Sequence, residues 1–485
     1  MASAFDHPFS EHLEYPVGVG HRPLGGFSGA AGGAPCGDLV RIDVAVDGER
    51  VTDAGFDASG CGAIVAAASA TVSLVSGAPL LDAARVSAAA VAAELGGLSP
   101  GKLHAAELAT DALHRALGGA ARAHAALVPV AGRTLVALSG GVDSAVAALL
   151  VGEDDLQAVA VTLELWADPE HDGERSCCSA QAVRRARALA HRMGLPHLTI
   201  DLRDEFRAGV VAHYVTAHAA GETPNPCVRC NGHVRLDAML DLAERLGAAR
   251  LATGHYARIV DDGDGPLLRS AVDQSKDQSY MLAALAPESL ARMSFPLGEL
   301  NKTEVRARAR AAALSVAGAP ESQDLCFLAG TRRQDFLHRH GNLAPRDGDV
   351  VDRAGEPVGR HRGHQDFTVG QRRGLGLGGG EPLYVLATDA TTNRVVVGPR
   401  DALLRRRVAL RDAVLRRDGG RVDAVKLRYR SRRLECRIEG SPAAGRHADL
   451  VLDLDEPAEA VAPGQVACMM AGDVVLGWGT IAASA

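Results

Sequence analysis

The stretch TPNPCVRCN, residues 223–231, places Cys227 and Cys230 three positions apart, directly after the rigid turn Pro224-Asn225-Pro226. Two cysteines at this spacing can bind zinc, form a redox disulfide, hold an iron–sulfur cluster or carry sulfur. A further cysteine, Cys326, lies far downstream in the stretch ESQDLCFL. The residue types alone leave these four chemistries open, so the surrounding motifs and elements must distinguish them.

A second motif, LSGGVDSA, follows the apolar stretch TLVAL, which is typical of a buried strand. Its two glycines allow a tight turn that points backbone N–H groups inward, and the next residues open a helix. A turn of this kind at a helix N-terminus favours phosphate. No Gly-Lys-Ser/Thr follows, so the motif is not a Walker A loop. The predicted phosphate-binding residues are Leu138, Ser139, Gly140, Gly141, Val142, Asp143, Ser144 and Ala145.

The elements around this loop alternate between strand-like and helix-like patterns from Arg133 onward, which predicts an α/β domain with a parallel sheet. The strand-like stretch LATGHYAR supplies Gly254 and His255 at the rim where such sheets bind ligands. Residues 1–117 show strands followed by helices, and 118–132 are rich in small residues, as in a linker. After about Gly374 short strands dominate, and these predict a small β-barrel or sandwich.

Composition narrows the class of protein. The chain has 485 residues, of which 47% are hydrophobic and 23% charged. It has nine cysteines and no basic n-region followed by an apolar h-region at its start. We therefore expect a cytoplasmic protein without a membrane span or a secreted disulfide framework. The net charge is −7, yet 15 Lys/Arg against six Asp/Glu fall between Arg394 and Glu439, which indicates a surface for phosphates.

The loop LSGGVDSA resembles that of the PP-loop ATP pyrophosphatases. Taken with TPNPxxxCN, ATGHYAR, KDQSY, FPLGELNKTEVR, ESQDLCF and FTVGQRRGLG, the chain from about 133 onward resembles the bacterial tRNA-specific 2-thiouridylase (MnmA) family. The resemblance implies ATP and Mg²⁺ as cofactors, with Asp143 near the metal or pyrophosphate and adenine bound by main chain at Leu163. It also implies adenylation of the C2 oxygen of a wobble uridine, followed by its replacement with sulfur.

The resemblance assigns roles to the cysteines. Cys326 would carry a persulfide, and Cys230 would act as nucleophile and form a disulfide with Cys326 as the product is released. Cys227 departs from the family pattern, in which an acidic residue usually stands there, and it adds another thiol. Persulfide relay, transfer assisted by an iron–sulfur cluster on the three cysteines, and structural zinc therefore all remain open.

The same resemblance implies that the substrate is tRNA, bound through its anticodon stem-loop. The tRNA-binding residues it suggests are His255, Lys276, Asp277, Gln278, Ser279, Gln371 and Arg372. The basic C-terminal strands, with Lys426, Arg428, Arg430 and Arg432, would hold the stem-loop. A cysteine desulfurase or a sulfur carrier would supply the sulfur.

The N-terminal block contains APCGDLVRIDVAVDGERVTDAGFDASGCGAIVAAAS and KLHAAELATDAL, and it resembles the NifU/IscU iron–sulfur scaffolds. The resemblance implies metal or cluster ligands at Cys36, Asp38, Cys61 and His104. That family has a cysteine directly after the histidine, where this chain has Ala105. The block could hold a labile cluster, bind zinc, serve as a docking module or be a degenerate appendage.

The expected architecture has an N-terminal α+β domain, a central parallel-sheet domain, a small connecting domain and a C-terminal β-barrel. The expected boundaries are 1–117 for the scaffold-like domain, 118–132 for a linker, 133–315 for the ATP-binding domain, 316–385 for a central tRNA-binding domain carrying Cys326, and 386–485 for the barrel. The alternatives to a thiouridylase are an iron–sulfur assembly or carrier protein with a vestigial PP-loop part, and another PP-loop tRNA ligase.

Overall fold

A computed structural model describes residues 8–33, 37–153, 157–168, 180–319, 325–328, 330–378 and 381–483. The predicted ligand Cys36 lies outside these ranges. Of the helices within them, none combines the length and apolar character needed to cross a membrane.

The N-terminal part is an antiparallel sheet covered by helices. Strand β2 shows why the layer forms, because Ile42 and Val44 alternate toward the core and are fully buried. The strands pair in the order β1-β2-β3. The elements are α1 (Pro8–Glu14), β1 (Phe27–Gly32), β2 (Leu39–Asp47), β3 (Arg50–Ser59), α2 (Gly62–Val75), α3 (Leu80–Ala83), α4 (Ala88–Glu94) and α5 (Leu103–His124).

The central part is a five-stranded parallel sheet with helices on its faces, as the alternating patterns predicted. The strand order β10-β7-β4-β5-β6 reverses between β4 and β7, where open α/β sheets bind ligands. The elements are β4 (Val130–Ala137), α6 (Val142–Glu153), β5 (Gln157–Glu164), α7 (Ala180–Arg192), β6 (His197–Asp201), α8 (Arg203–Phe206), α9 (Ala212–Ala219), α10 (Pro226–Cys230), α11 (Leu236–Arg245), β7 (Ala248–Thr253), β8 (Ala257–Asp261), β9 (Pro266–Ser270), α12 (Pro287–Ala291), β10 (Met293–Ser294) and α13 (Lys302–Ala311).

The segment 118–132 is not a linker in the structure. Helix α5 continues to His124, and β4 already begins at Val130. The small residues serve close packing instead, because a Cβ on Gly118 would lie 1.9 Å from the carbonyl oxygen of Thr199 in β6. Helix α5 therefore lies between the N-terminal sheet and the parallel sheet, and one hydrophobic core includes residues of both.

The C-terminal part forms two sheets. One has the order β12-β11-β14-β13, and it follows the helix α14. The other closes into a six-stranded barrel through pairing of β15 with β20. The elements are α14 (Arg333–Gly341), β11 (Gly348–Val351), β12 (Pro357–His361), β13 (Tyr384–Asp389), β14 (Arg394–Gly398), β15 (Arg405–Leu415), β16 (Ala424–Lys426), β17 (Leu434–Ile438), β18 (Gly445–Ala458), β19 (Val466–Ala471) and β20 (Val474–Ile481).

Two segments pair differently from the expected boundaries. Strand β14, which the sequence pattern placed in the barrel, pairs in parallel with β11, so that Val395 lies opposite Val350 in the smaller sheet. The hairpin β8–β9 of the central part instead extends the barrel sheet, because Leu268 of β9 pairs with Val475 of β20. Local sequence patterns do not show which distant strand a segment pairs with. For this reason the expected boundaries assigned both segments to the wrong sheet.

Candidate functional site

The predicted phosphate loop turns sharply at the carboxyl end of β4. Gly140 has φ +74°, a left-handed conformation that few other residues adopt. The hydroxyl of Ser144 closes the turn, since it accepts from the backbone N–H of Ser139 and donates to the carbonyl of Gly141, both at 3.1 Å. Helix α6 starts at Val142, so its N-terminus faces the same turn.

This loop forms one wall of a cavity of about 300 Å³, called here the loop cavity. Of the predicted nucleotide-binding residues, those that line it are Leu138, Ser139, Asp143, Ser144, Leu163 and Gly254. Val142 and Ala145 are instead buried in the core beneath the loop. The cavity lies at the carboxyl ends of β4, β5 and β7, where the strand order reverses. The structure thus brings the loop, the next strand and the end of β7 together.

The carboxylate of Asp143 is held by two partners within the protein. The ammonium group of Lys302, at the start of α13, lies 2.7 Å from both carboxylate oxygens, and the hydroxyl of Tyr256 donates at 2.9 Å. Asn301 caps α13 in a capping box with Glu304 and so fixes the backbone that carries Lys302. Lysine neutralises much of the charge that a metal ion would otherwise meet at Asp143.

The three predicted cysteines Cys227, Cys230 and Cys326 line a second cavity of about 820 Å³, called here the thiol cavity. Cys230 is buried, and the other two are partly exposed. The downstream cysteine therefore lines the same cavity as the pair in TPNPCVRCN. The disulfide expected between Cys230 and Cys326 stays a prediction.

The first two cysteines are positioned by the start of a helix. Pro226 occupies the first turn of α10, and the side chain of Asn225 accepts from the backbone N–H groups of Cys227 and Val228 at 3.1 and 3.2 Å. The Pro-Asn-Pro turn thus sets where the helix begins. A π-helical segment, Asn231–Arg235, then joins α10 to α11.

The third cysteine is positioned by its neighbour Phe327. That ring is buried and packs against the rings of Phe206, Tyr214 and Phe336, with centroids 5.9, 5.2 and 5.0 Å away. Aromatic contacts of this kind stabilise a short turn that has little regular structure of its own. They hold Cys326 at the cavity wall.

The loop cavity and the thiol cavity share a wall formed by Leu165, Arg235, His255 and Gln278. The imidazole of His255 is buried, with Nδ1 2.7 Å from the hydroxyl of Thr253. Burial, with a smaller contribution from the guanidinium of Arg235, lowers the pKa of His255 to about 3, so the ring is neutral near pH 7. The side-chain oxygen of Gln278 accepts from the backbone N–H of Tyr256 at 3.0 Å.

Arg235 was not identified from the sequence. It follows Cys230 by five residues in the run CNGHVR, and a single arginine in a helical pattern is most often a solvated residue. The π-helical segment that carries it toward both cavities produces no distinctive composition. Only the basic character of the residue so close to a nucleophile could have drawn attention to it.

The residues expected to bind tRNA differ in their surroundings. Asp277 is buried, and its carboxylate accepts from the hydroxyl of Ser279 at 2.9 Å and pairs with Lys426 of β16 at 2.9 Å. Ser279 is buried as well. The ion pair joins the central part to the barrel, and the burial of Asp277 and Ser279 leaves neither side chain at the surface. Lys276 is half-buried, and Gln278 faces the cavities.

Other predicted tRNA contacts do lie at the surface. Arg372, Arg428 and Arg430 are exposed, and Arg430 also lines the thiol cavity beside Tyr429. Its guanidinium lies 5.3 Å from the centroid of the Tyr429 ring. Gln371 is partly exposed, and its side chain bonds the backbone of its own turn. Arg432 is exposed and pairs with Glu456.

The N-terminal part contains a separate cluster of possible metal ligands. Ligand atoms of Asp38, Cys61 and His104 lie within 4.8 Å of one another, and within the described ranges no other group of three or more such residues meets this distance. Asp38 is fully buried, and its Oδ2 lies 3.3 Å from the sulfur of Cys61 and 3.1 Å from Nε2 of His104. One sulfur, one nitrogen and one oxygen suit zinc or iron.

A wider spacing separates the three cysteines of the thiol cavity. All three are described, yet their sulfur atoms do not all lie within 4.8 Å of one another. The ligands of one zinc ion converge to about this distance, whereas thiolates that bind different irons of a cluster lie further apart. The geometry therefore does not favour a zinc ion at Cys227, Cys230 and Cys326, and it is compatible with either a persulfide relay or a cluster.

Comparison with family models gives four matches along the chain. Residues 7–123 match the NifU-like N terminal domain, and 132–330 match the tRNA methyl transferase HUP domain. Residues 334–399 match the tRNA methyl transferase PRC-barrel domain, and 418–481 match the aminomethyltransferase beta-barrel domain. The third match ends one residue after β14, in agreement with the strand pairing.

Curated relatives agree with the resemblance to the NifU/IscU scaffolds and with the resemblance to the 2-thiouridylases. The chain is 43% identical to the "Bifunctional protein NifU/MnmA" of Rubrobacter xylanophilus, over 97% of each chain. It is 44% identical to a "tRNA-specific 2-thiouridylase MnmA" of Chloroflexus aggregans and 42% identical to one of Acidithiobacillus ferrooxidans, each over 72% of this chain and 98% of the relative. An identity of this size over the full length is far above chance similarity. The chain therefore belongs to the family of bifunctional NifU/MnmA proteins.

Proposed function

We propose that the protein is an ATP-dependent tRNA 2-thiouridylase, which adenylates the C2 oxygen of a wobble uridine and replaces it with sulfur. The observation that carries this proposal is the wall shared by the loop cavity and the thiol cavity. A uracil placed at that wall would have a nucleotide on one side and thiols on the other. Its relatives named as tRNA-specific 2-thiouridylases support the same reading.

The first step is activation of the uracil oxygen. Ser139, Ser144 and the N-terminus of α6 bind phosphate oxygens of ATP, and the backbone at Leu163 binds adenine. The C2 oxygen forms a bond to the α-phosphorus while the bond to the leaving pyrophosphate breaks. The poor leaving group of a carbonyl is thereby converted into AMP.

The second step transfers sulfur. A persulfide on Cys326, loaded by a desulfurase or a sulfur carrier, attacks C2 through its terminal sulfur and displaces AMP. The thiolate of Cys230 then attacks the inner sulfur of Cys326, so that the sulfur–sulfur bond breaks and its electron pair remains on the new thiocarbonyl. A disulfide between Cys230 and Cys326 forms, and a reductant then returns both residues to thiols.

Mg²⁺ would bind chiefly to the phosphates of ATP. Asp143 is the carboxylate available in the loop cavity, and the ion pair with Lys302 limits what it can contribute. Bound there, the ion would neutralise the charge that develops on pyrophosphate. Because its substrate is tRNA, we place the enzyme in the cytoplasm.

One experiment tests the function as a whole. The purified chain is incubated with ATP, a sulfide or persulfide source, and tRNA transcripts that carry either uridine or cytidine at the wobble position. We expect AMP release and a mass gain of one sulfur-for-oxygen exchange with uridine only. Equal AMP release from both transcripts, or AMP release without sulfur incorporation, would contradict the proposal.

A second proposal concerns the N-terminal part, and it rests on the convergence of Asp38, Cys61 and His104. We propose that these residues bind iron, as part of a cluster held as cargo, or zinc. Ala105, which replaces the expected extra cysteine, is fully buried and cannot act as a ligand. Metal analysis of the wild type and of Cys61→Ser after anaerobic reconstitution tests this, with Cys436→Ser, a buried barrel thiol, as the control. Equal metal content in all three proteins would refute it.

A further inference from the structure

The wall between the two cavities carries one positive charge. Of its four residues, Leu165 is apolar, Gln278 is neutral, and the buried ring of His255 is uncharged near neutral pH. Arg235 is the remaining member and is charged at every physiological pH. Its guanidinium therefore provides the cationic character at the point where both cavities meet.

Within the described parts of the chain, the guanidinium of Arg235 makes no ion pair and no hydrogen bond. Other half-buried cations near the cavities do have partners: Lys302 pairs with Asp143, and Arg333 donates to the carbonyl of Asp366. Among the described residues no counterion faces Arg235, and a partly buried charge without a counterion is costly because it loses hydration without a compensating contact. An anionic ligand at the shared wall would remove this cost.

The chemistry of the proposed reaction identifies the anion. The uracil oxygen must reach the α-phosphorus from the loop cavity side, and sulfur must reach C2 from the thiol cavity side. The α-phosphoryl group must therefore lie at the shared wall, while Ser139, Ser144 and the start of α6 face the rest of the triphosphate. Arginine suits this group because its planar fork matches two phosphate oxygens.

We propose that Arg235 binds the α-phosphoryl group of ATP and then the phosphate of AMP as it departs. This inference rests on the proposed function and adds a catalytic residue to it. When the uracil oxygen attacks, the bond from the α-phosphorus to pyrophosphate breaks. When sulfur attacks C2, the carbon–oxygen bond breaks and its electron pair stays on the AMP oxygen. The phosphate gains negative charge in this last step, and the guanidinium opposite it stabilises that charge.

A binding experiment tests the contact without requiring turnover. Affinities for AMP and for adenosine are measured by calorimetry on the full chain, as wild type, Arg235→Gln and Arg235→Lys. Loss of a charge-assisted phosphate contact should reduce the preference for AMP over adenosine about tenfold or more in Arg235→Gln. Arg235→Lys should keep an intermediate preference, because it retains the charge but not the fork.

The matched control is Arg250→Gln, which removes the same charge at the exposed start of β7, at the strand end opposite the cavities. We expect it to show the wild-type preference for AMP. If Arg235→Gln also keeps that preference, the inference is wrong. It is equally wrong if only the affinity for tRNA falls, since Arg235 would then contact an RNA phosphate instead.

Kinetics separate this inference from the function on which it rests. With wobble-uridine tRNA, Arg235→Gln should slow the release of pyrophosphate at least a hundredfold at saturating ATP, with its thermal midpoint unchanged. A wild type that forms no AMP with tRNA would refute the function, while a loss of AMP preference in Arg235→Gln would still establish the phosphate contact. A fully active Arg235→Gln enzyme would refute the inference and leave the function intact.

Discussion

The cysteines of TPNPCVRCN differ in burial although only two residues separate them. Cys230 is buried at 8% exposure, whereas Cys227 is partly exposed in the first turn of α10. Both share the thiol cavity with Cys326. A relay through a persulfide needs two thiols that can meet, whereas a cluster with three protein ligands needs all three.

This difference gives the first prediction. Cys230→Ser and Cys326→Ser should each reduce thiouridine formation more than a hundredfold, because each removes a bond-forming sulfur. Cys227→Ser should retain activity within about tenfold, since serine keeps the size of the side chain and the relay does not use this residue. Mass spectrometry of the tRNA gives the product, and release of pyrophosphate shows that activation survives. Loss of product in all three variants would favour a cluster.

Residue types in a motif predicted the phosphate loop and the three cysteines, because both depend on local chain order. The sequence did not reveal the ion pair between Asp277 and Lys426, since these two residues are far apart in the chain. It missed Arg235 for the related reason that a side chain's direction depends on the helix that carries it. Local chemistry was predictable here, and long-range packing was not.

Helix α5 has two glycines in sequence whose surroundings differ. A Cβ on Gly118 would meet the carbonyl oxygen of Thr199 at 1.9 Å, whereas a Cβ on Gly119 would meet the ring of Phe27 at 3.1 Å. A carbonyl oxygen in β6 is fixed by the parallel sheet, but a phenyl ring can turn. The composition GGAARA, read as a linker, instead marks where a helix approaches a strand closely.

The second prediction compares these neighbours. Gly118→Ala should destabilise the protein by about 1–3 kcal/mol, because the helix must move away from β6. Gly119→Ala should be within about 1 kcal/mol of the wild type, since alanine's higher helix propensity offsets the small displacement of Phe27. Chemical denaturation followed by circular dichroism measures both. Equal stability of the two variants would mean that α5 does not pack on β6 as described.

Three histidines meet where α5 approaches α7 and β6. The rings of His114 and His197 are fully buried, with centroids 5.7 Å apart, and His191 lies 5.0 Å from His114. Burial is the main cause that lowers the pKa of all three, and Arg187 lowers each further. For His191 the pKa falls to about 4.

The third prediction follows from these shifts. Below about pH 6.5 the unfolded chain binds protons at these histidines while the folded protein does not, so stability falls as the pH drops from 6.5 toward 4. His191 alone should account for about 2 kcal/mol of the loss at pH 5. His191→Gln should therefore lose less stability between pH 7 and pH 5 than the wild type, as followed by thermal midpoints. His338→Gln, at an exposed position on α14, should behave as the wild type; an unchanged slope in His191→Gln would contradict the assignment.

At the scale of the molecule, strand pairing, an ion pair and a hydrogen bond connect the barrel to the central part, in addition to the covalent chain. The hairpin β8–β9 belongs to the central part in sequence and extends the barrel sheet through β20. Lys426 pairs with the buried Asp277, and Tyr280 donates to the carbonyl of Val466 at 2.7 Å. These contacts hold Tyr429 and Arg430 at the mouth of the thiol cavity.

The fourth prediction concerns this mouth. Reversing the charge of Arg428 and Arg430 to glutamate should weaken tRNA binding at least tenfold and reduce its salt dependence, because two phosphate contacts become repulsive. Binding of ATP should be unchanged, since neither residue lines the loop cavity. The control reverses Arg22 and Arg50, two exposed arginines of the N-terminal part, and should bind tRNA normally. Unchanged tRNA affinity of the first variant at low salt would contradict a role for this surface.

The position of α5 between two sheets has a consequence for the gene. Each half of the protein uses this helix as part of its own core. A coding sequence divided after residue 126 would therefore expose the face of β6 on which α5 packs. The 2-thiouridylases of Chloroflexus aggregans and Acidithiobacillus ferrooxidans match 72% of this chain over 98% of their own length. In this lineage the two halves are inherited as one unit and made in equal numbers.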